Sequence, residues 1–287
     1  MLALGMIAAL AMPGTAQATP QLGDLGVKQS MSVKASNGES LEGKDLRAIQ
    51  LATYTAASVD GNTIVGYDLT TNTALASDIT AAAKAAGATD TNLTVNGKND
   101  PMVWVVKNLT DSRSDPWSGK LRNFCNSLAK QTNFAKQDGT AVSTLSQDKA
   151  TMSTGNVLVP GIYAIVDRTP ATTTLSSGTA IKTTASIMMM NGTAVNGVNQ
   201  LRTAGGTTLT LGQVIYKVSN VESPDKKVNV GSAWKDSASE AIGKDLTYRV
   251  TQKIPNWTGY EHYYLALNDT LGAGLDYGSL TSITVGG

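Results

Sequence analysis

Cysteine and histidine are almost absent from this chain of 287 residues, which holds one of each, Cys125 and His262. A single cysteine excludes a disulfide within the chain, and the two residues together are too few for an ordinary zinc site. By count they could form a catalytic Cys–His pair, but Cys125 lies in a predicted helix and His262 in a distant predicted strand. No motif supports the pair, so a buried structural cysteine is the better interpretation. We expect no metal and no cofactor.

Aromatic residues are also scarce, and neither sign of charge is in clear excess. Aromatic residues make up 5% of the chain, and 23 basic residues balance 22 acidic ones. A nucleic-acid-binding surface is therefore not expected, because such surfaces are basic and interleaved with aromatic side chains. Charged residues reach only 16%, a composition that favours an extracellular β-protein. No clustered acids and no nucleophile with its base are found, so we do not expect an enzyme.

The amino terminus predicts export. Residues 2–12 form an apolar run that is too short to cross a bilayer, and a small-x-small site follows at Ala16-Gln17-Ala18. This pattern indicates a secretory signal peptide over residues 1–18, cleaved between Ala18 and Thr19, and a mature chain without a membrane span. The usual basic residues are missing before Lys28. Either the gene start is incomplete or the true start lies upstream.

Periodicity predicts a mainly β chain with a few helices. An Ala-rich run predicts a helix over residues 78–86, and apolar residues at helical spacing predict a second over residues 118–130, with Ser118 as a possible cap. The helical spacing is carried by Leu121, Phe124, Cys125 and Leu128. Strands are expected at residues 27–33, 64–69, 157–167, 185–190, 207–218, 246–254 and 262–268. We expect residues 246–254 to form a half-buried strand.

The segment GIYAIVD, within the 157–167 strand, alternates two apolar faces. Ile162, Ala164 and Val166 share one face, and Tyr163, Ile165 and Asp167 share the other. We interpret Asp167 as a strand-end turn residue rather than a catalytic acid.

The segment SPDKKVNV places a lysine on an apolar strand face. With period 2, Lys226 shares a face with Val228 and Val230, whereas Lys227 faces the other way. In EHYYLALND, Asp269 extends the face of Leu265 and Leu267. Burial drives both charged groups toward neutrality, which would give a nucleophilic amine and a carboxylic acid that polarises an amide carbonyl. Lys226 snorkelling into water and Asp269 opening an Asx turn remain alternatives.

The same residues resemble a known family. SPDKKVN, followed by GKDLTYRVTQKIPNWTGYEHYYLALNDTLGAGLDY, resembles the opening half of a CnaB-type immunoglobulin-like domain in sortase-assembled backbone pilins of Gram-positive bacteria. The pieces LEGKDLRAIQLATYT, SGKLRNFCNSLA, VPGIYAIVD and ASIMMMNG are similar to the amino-terminal domain of these pilins. The resemblance implies a β-rich pilin domain with a few helical insertions over residues 19–218, and the first part of an incomplete CnaB-type β-sandwich domain over residues 219–287.

The resemblance also implies roles for individual residues. Lys226 would bond an Asn on the last strand of the domain, and Asp269 would assist as the acid. The Asn has no match before Gly287, and no LPxTG-like sorting motif follows, so we expect a carboxyl-terminally truncated product. Lys217, in LGQVIYKVSN, would be the lysine that sortase joins to the next subunit. The proline of the usual Tyr-Pro-Lys form is missing there, and an ordinary exposed strand lysine is the alternative.

The resulting hypothesis is a structural subunit of a cell-wall fimbria. Its partners would be identical subunits and sortase, and its location the cell surface. One alternative is a surface adhesin that binds a host glycan or matrix protein, for which an aromatic-lined groove in residues 19–218 would be evidence. A secreted enzyme is the other.

Overall fold

The structure, a computed structural model, describes residues 20–36, 39–95, 97–109, 119–170, 172–174, 180–183, 188–203, 206–216, 220–221, 224–254, 265 and 267–286. The chain is mainly β, as predicted. The strands up to residue 145 are β1 (Gln21–Leu22), β2 (Ser32–Ala35), β3 (Leu46–Asp60), β4 (Thr63–Thr71), β5 (Thr94–Val95), β6 (Lys98–Asn99), β7 (Thr140–Val142) and β8 (Thr144–Leu145). Those up to residue 216 are β9 (Thr151–Ser153), β10 (Gly161–Asp167), β11 (Thr172–Thr174), β12 (Ala180–Thr183), β13 (Met189–Gly192), β14 (Gln200–Arg202), β15 (Thr208–Thr210) and β16 (Gln213–Tyr216). The last are β17 (Asn220–Val221), β18 (Asp225–Val230), β19 (Ala233–Lys235) and β20 (Tyr248–Thr251).

The described residues form four α-helices between the strands: α1 (Ala76–Ala85), α2 (Pro101–Asn108), α3 (Lys120–Ala129) and α4 (Thr132–Ala135). Helices α1 and α3 confirm the two predicted helices. The buried residues of α3 are Phe124, Cys125 and Leu128, as the helical spacing requires. Helix α2 was not predicted, although Pro101 at its first turn is typical of a helix start. The N-cap of α3 is Gly119, and Ser118 lies outside the described residues.

Two sheets pack face to face in residues 20–216, which we call the first region. The larger sheet has the strand order β13-β10-β3-β4-β14-β15, with β1 and β7 also paired to β3. The smaller sheet has the order β16-β2-β9-β8, in which β16 runs parallel to β2. Strands β11, β12 and β17 form a separate three-stranded sheet.

Strands β3 and β10 form a wall between two hydrophobic cores. On one side the helices pack on the larger sheet, and Ile162 and Ala164 of β10 face them. On the other side Tyr163 and Ile165 face the smaller sheet. Both alternating faces predicted for GIYAIVD are therefore confirmed, and each has its own core. A strand buried on both faces is typical of the central strand of a layered domain.

Strands β18, β19 and β20 form a small antiparallel sheet in residues 224–286, which we call the second region. Lys226 pairs with Val250, and Val228 pairs with Tyr248 and Lys235. Only Val228 of these residues is buried. The second region thus has a sheet but, among its described residues, no core cluster comparable to those of the first region.

Three strand predictions are corrected by the structure. The predicted strand 207–218 is two strands, because Gly212, with a φ of +78°, breaks it between β15 and β16. The predicted half-buried strand 246–254 reduces to β20, and all four of its residues are exposed, since none of the described residues forms a layer over them. In the predicted strand 262–268, the described residues Leu265, Leu267 and Asn268 lie outside any strand. No described helix is both long and apolar enough to span a membrane.

Candidate functional site

Strand β18 positions the predicted nucleophile Lys226. Its neighbour across the ladder, Val250, and the buried Val228 lie on the same sheet face. The Lys226 amine lies 4.7 Å from the ring centroid of Tyr248, a cation–π contact from the adjacent strand β20. The sheet therefore holds Lys226 over an aromatic ring at the edge of an apolar face.

The structure brings Lys226 and Asp269 together. Lys226 Nζ donates a hydrogen bond to Asp269 Oδ2 over 2.6 Å, although the two residues are 43 positions apart in sequence. Asp269 belongs to the segment 267–272, which forms no strand. This segment places the Asp269 carboxyl group against β18. An amine and a carboxyl group at this distance can exchange a proton directly.

The predicted burial of this pair is not observed. The Lys226 side chain is 35% exposed and that of Asp269 is 50% exposed. The contact is therefore a partly exposed salt bridge. The sheet face around it is also open among the described residues, because Tyr248 and Val250 are each 38% exposed.

Lys227 lies on the opposite face, as predicted. Its amine donates to Asp236, lies 3.4 Å from Asp225, and faces away from Asp269. The hydrogen bond to Asp236 raises the pKa of Lys227. On the same face the Arg249 guanidinium stacks 4.5 Å from the ring centroid of Trp234. The small sheet thus separates a charged face from the face that carries Lys226.

Several predicted site residues lie outside the described residues. They are Ala18 and Thr19 of the cleavage site, Lys217 of the intersubunit linkage, and His262. Cys125 is described and buried in helix α3, in agreement with a structural role.

A second lysine site escaped the sequence analysis. Lys44 precedes β3, is only 7% exposed, and its Nζ is buried without a hydrogen bond among the described residues. The amine lies 5.5 Å from the ring centroid of Tyr216, and the Tyr216 hydroxyl donates to Asp167 Oδ2. Burial lowers the pKa of Lys44, and the charges of Asp167 and Glu39 oppose this effect. The sequence signal for this site is the period-2 spacing of Lys44 with Leu46 and Ala48, which places the lysine in line with a buried strand face.

The predicted turn role of Asp167 is confirmed, and the residue makes a second contact that was not predicted. Its Oδ1 accepts from the backbone N–H of Thr169, as expected for a strand-end turn. Its Oδ2 accepts the hydroxyl of Tyr216 on another strand. Asp167 therefore also joins the ends of β10 and β16.

Other kinds of site have little support among the described residues. No group of three or more His, Cys, Asp or Glu could hold a metal ion in that part of the chain. Two open grooves there have volumes of about 380 and 210 Å³. Phe134 is the one aromatic residue in the walls of these two grooves.

A scan of protein-family models and a search of curated proteins found no match to this chain. The sites are therefore interpreted from their own chemistry.

Proposed function

We propose that the chain is a structural subunit of a cell-surface fimbria, stabilised by an amide cross-link that starts from Lys226. The observation that carries the proposal is the 2.6 Å approach of Lys226 Nζ to Asp269 Oδ2 across 43 residues of sequence. The sequence resemblance assigned to these two residues the roles of nucleophile and assisting acid. An ordinary surface ion pair is the competing explanation, because both side chains are partly exposed.

The reaction needs an Asn side chain on a strand that covers the Lys226 face. Such a strand would exclude water from Tyr248 and Val250 and shift both charged groups toward their neutral forms. The neutral amine of Lys226 then attacks the Asn amide carbon, while the protonated Asp269 donates to the carbonyl oxygen. The amine loses a proton, which Asp269 relays to the leaving NH₂ group. One amide bond forms, one C–N bond breaks, and ammonia leaves.

A fimbrial shaft would benefit from this bond. It would tie the first strand of a domain to its last, so that pulling on the ends does not unzip the sheet. A cross-link also restricts the unfolded chain, the role that disulfides play in many exported proteins. The chain has one cysteine and cannot form a disulfide within itself.

Intact-mass measurement tests the cross-link. A chain that includes the covering strand is expected to weigh about 17 Da less than its sequence for each bond formed, because ammonia is lost. Lys226→Ala and Asp269→Ala should restore the full mass. Lys227→Ala is the matched control, since Lys227 neighbours Lys226 on the opposite face. A wild-type chain at full mass would contradict the proposal.

The assembly step is tested separately. We propose Lys217 as the residue that sortase joins to the next subunit. Lys217→Arg keeps the charge, and it is expected to abolish covalent polymer ladders on denaturing gels. Lys227→Arg should leave them intact. Ladders that persist in Lys217→Arg would assign the linkage to another lysine without affecting the Lys226 result.

A further inference from the structure

The Lys44 amine occupies a position that costs free energy. A buried amine without a hydrogen bond loses its hydration and gains no partner in return. Lys44 Nζ is in this position: it has no hydrogen bond among the described residues, and the Tyr216 ring centroid lies 5.5 Å away. The neutral amine tolerates such surroundings better than the ammonium ion, because desolvation penalises mainly the charged form.

Three separate elements meet at this amine. Lys44 belongs to the loop before β3, Asp167 ends β10, and Tyr216 ends β16. Tyr216 is 1% exposed and donates its hydroxyl to Asp167. Strand β16 is the last strand of the smaller sheet and pairs with β2. The Tyr216 side chain therefore connects the end of β16 to the end of β10.

The charged and titratable groups that act on Lys44 come from three directions. Asp167 on β10 and Glu39 in the preceding loop both favour the ammonium form. Tyr216 on β16 faces the amine with its ring and directs its hydroxyl to Asp167. Glu42, in the same loop as Lys44, pairs with Lys149 over 2.5 Å. Burial is the largest influence on the amine and outweighs the two carboxylates.

We propose that Lys44, Tyr216 and Asp167 form a proton-controlled latch that holds the end of β16 against the end of β10. In the closed latch the amine is enclosed under the Tyr216 ring, and burial lowers its pKa. When Tyr216 leaves, water reaches Lys44, and at a pH between the closed and open pKa values the amine takes a proton from the solvent. Closing returns that proton to the solvent, so no other reactant is needed.

The direction of the pH effect follows from linkage. The open state binds the proton more tightly, because its amine has the ordinary pKa of about 10.4. The closed state has a lowered pKa. At a pH between these two pKa values, the open state carries a proton that the closed state lacks. A rise in pH therefore favours the closed state. The latch therefore tightens with rising pH up to about 10.4, by at most about tenfold in the opening equilibrium per pH unit.

Hydrogen exchange of the intact chain tests the latch. Short deuterium pulses between about pH 7 and 10, corrected for the intrinsic exchange rate, give the opening equilibrium of peptides that cover β16. We expect opening of β16 to decrease with pH in the wild type, and to become independent of pH in Lys44→Met. Methionine keeps the length of the side chain and removes the amine. Lys34→Met is the matched control, because Lys34 is exposed on β2, the strand paired with β16, and should keep the wild-type slope.

Three results would overturn the proposal. The first is a wild-type β16 whose opening equilibrium does not change with pH. The second is a pH dependence of β16 opening that persists in Lys44→Met. The third is an equal pH dependence in peptides from β3, which would indicate global opening. Titration of the Lys44 amine by NMR in the wild type is independent of any variant. A midpoint at the ordinary lysine value would also refute the latch, and a lowered midpoint would support it.

Discussion

The two regions place a lysine near an aspartate in opposite ways. Lys44 in the first region is buried, has no hydrogen bond within the described part of the chain, and lies near Asp167, which accepts a hydrogen bond from Tyr216. Lys226 in the second region is paired directly with Asp269 but remains 35% exposed. The difference comes from the layers around each residue. In the first region the Tyr216 ring of the smaller sheet covers Lys44, whereas in the second region no described residue covers the sheet face of Tyr248 and Val250.

This comparison shows that pairing and burial are separate properties. A salt bridge in water contributes little to stability, and a buried charge without a partner costs much more. The chemistry proposed for Lys226 requires a lysine that is buried, as Lys44 is, and that also contacts a carboxyl group, as Lys226 does. Four measurements of stability test this contrast between the regions.

The largest effect is expected in the wall between the two cores. Ile165 is fully buried on β10, so Ile165→Ala should lower the free energy of unfolding by about 2–5 kcal/mol. Val250→Ala in the second region removes a side chain that is 38% exposed, and should change it by about 0.5 kcal/mol or less. Urea unfolding of both variants provides the values. Equal losses would mean that the second region is as well packed as the first.

The next effect concerns the close approach of β10 to β3. A Cβ on Gly161 would lie 2.2 Å from the carbonyl oxygen of Ala52, so Gly161→Ala must push the two strands apart. We expect a loss of about 1–3 kcal/mol by thermal or urea unfolding. Gly66→Ala in β4 is the control, because nothing lies within 4 Å of its added Cβ. A stable Gly161→Ala variant would show that the wall is not rigid.

The third effect has the opposite sign. Lys44→Met removes a buried amine that lacks a hydrogen bond, so it should raise the free energy of unfolding by about 1–3 kcal/mol near pH 7. The gain should shrink as the pH rises toward about 10.4, because the wild-type amine then loses its proton in the unfolded state as well. Unfolding curves at several pH values measure both. Destabilisation at pH 7 would indicate that the amine has a partner in solution.

The smallest effect is expected at the Lys226–Asp269 pair. Both side chains are partly exposed, so a double-mutant cycle with Lys226→Ala and Asp269→Ala should give a coupling below about 1 kcal/mol. Added salt should reduce it further, because ions screen exposed charges. A large coupling that resists salt would show that the pair is buried in solution.

The local pattern predicted a good part of the fold. Helices α1 and α3 and the two faces of β10 were predicted correctly. In each, the periodicity of apolar residues matches a core that is present on the corresponding face. Strand β20 was predicted from the same kind of pattern, yet all its residues are exposed. Alternation shows which residues share a face, but it does not show whether another layer covers that face.

The candidate sites divide in the same way. Period-2 alternation in the sequence placed Lys226 on the face of Val228 and Lys227 on the other face, and the family resemblance gave Asp269 the role of assisting acid. Only the tertiary structure decided that the amine and the carboxyl group lie 2.6 Å apart and partly in water. Only the tertiary structure also enclosed Lys44 under Tyr216. The physical reason is that side-chain direction is set within one strand, whereas contact and burial depend on segments distant in sequence.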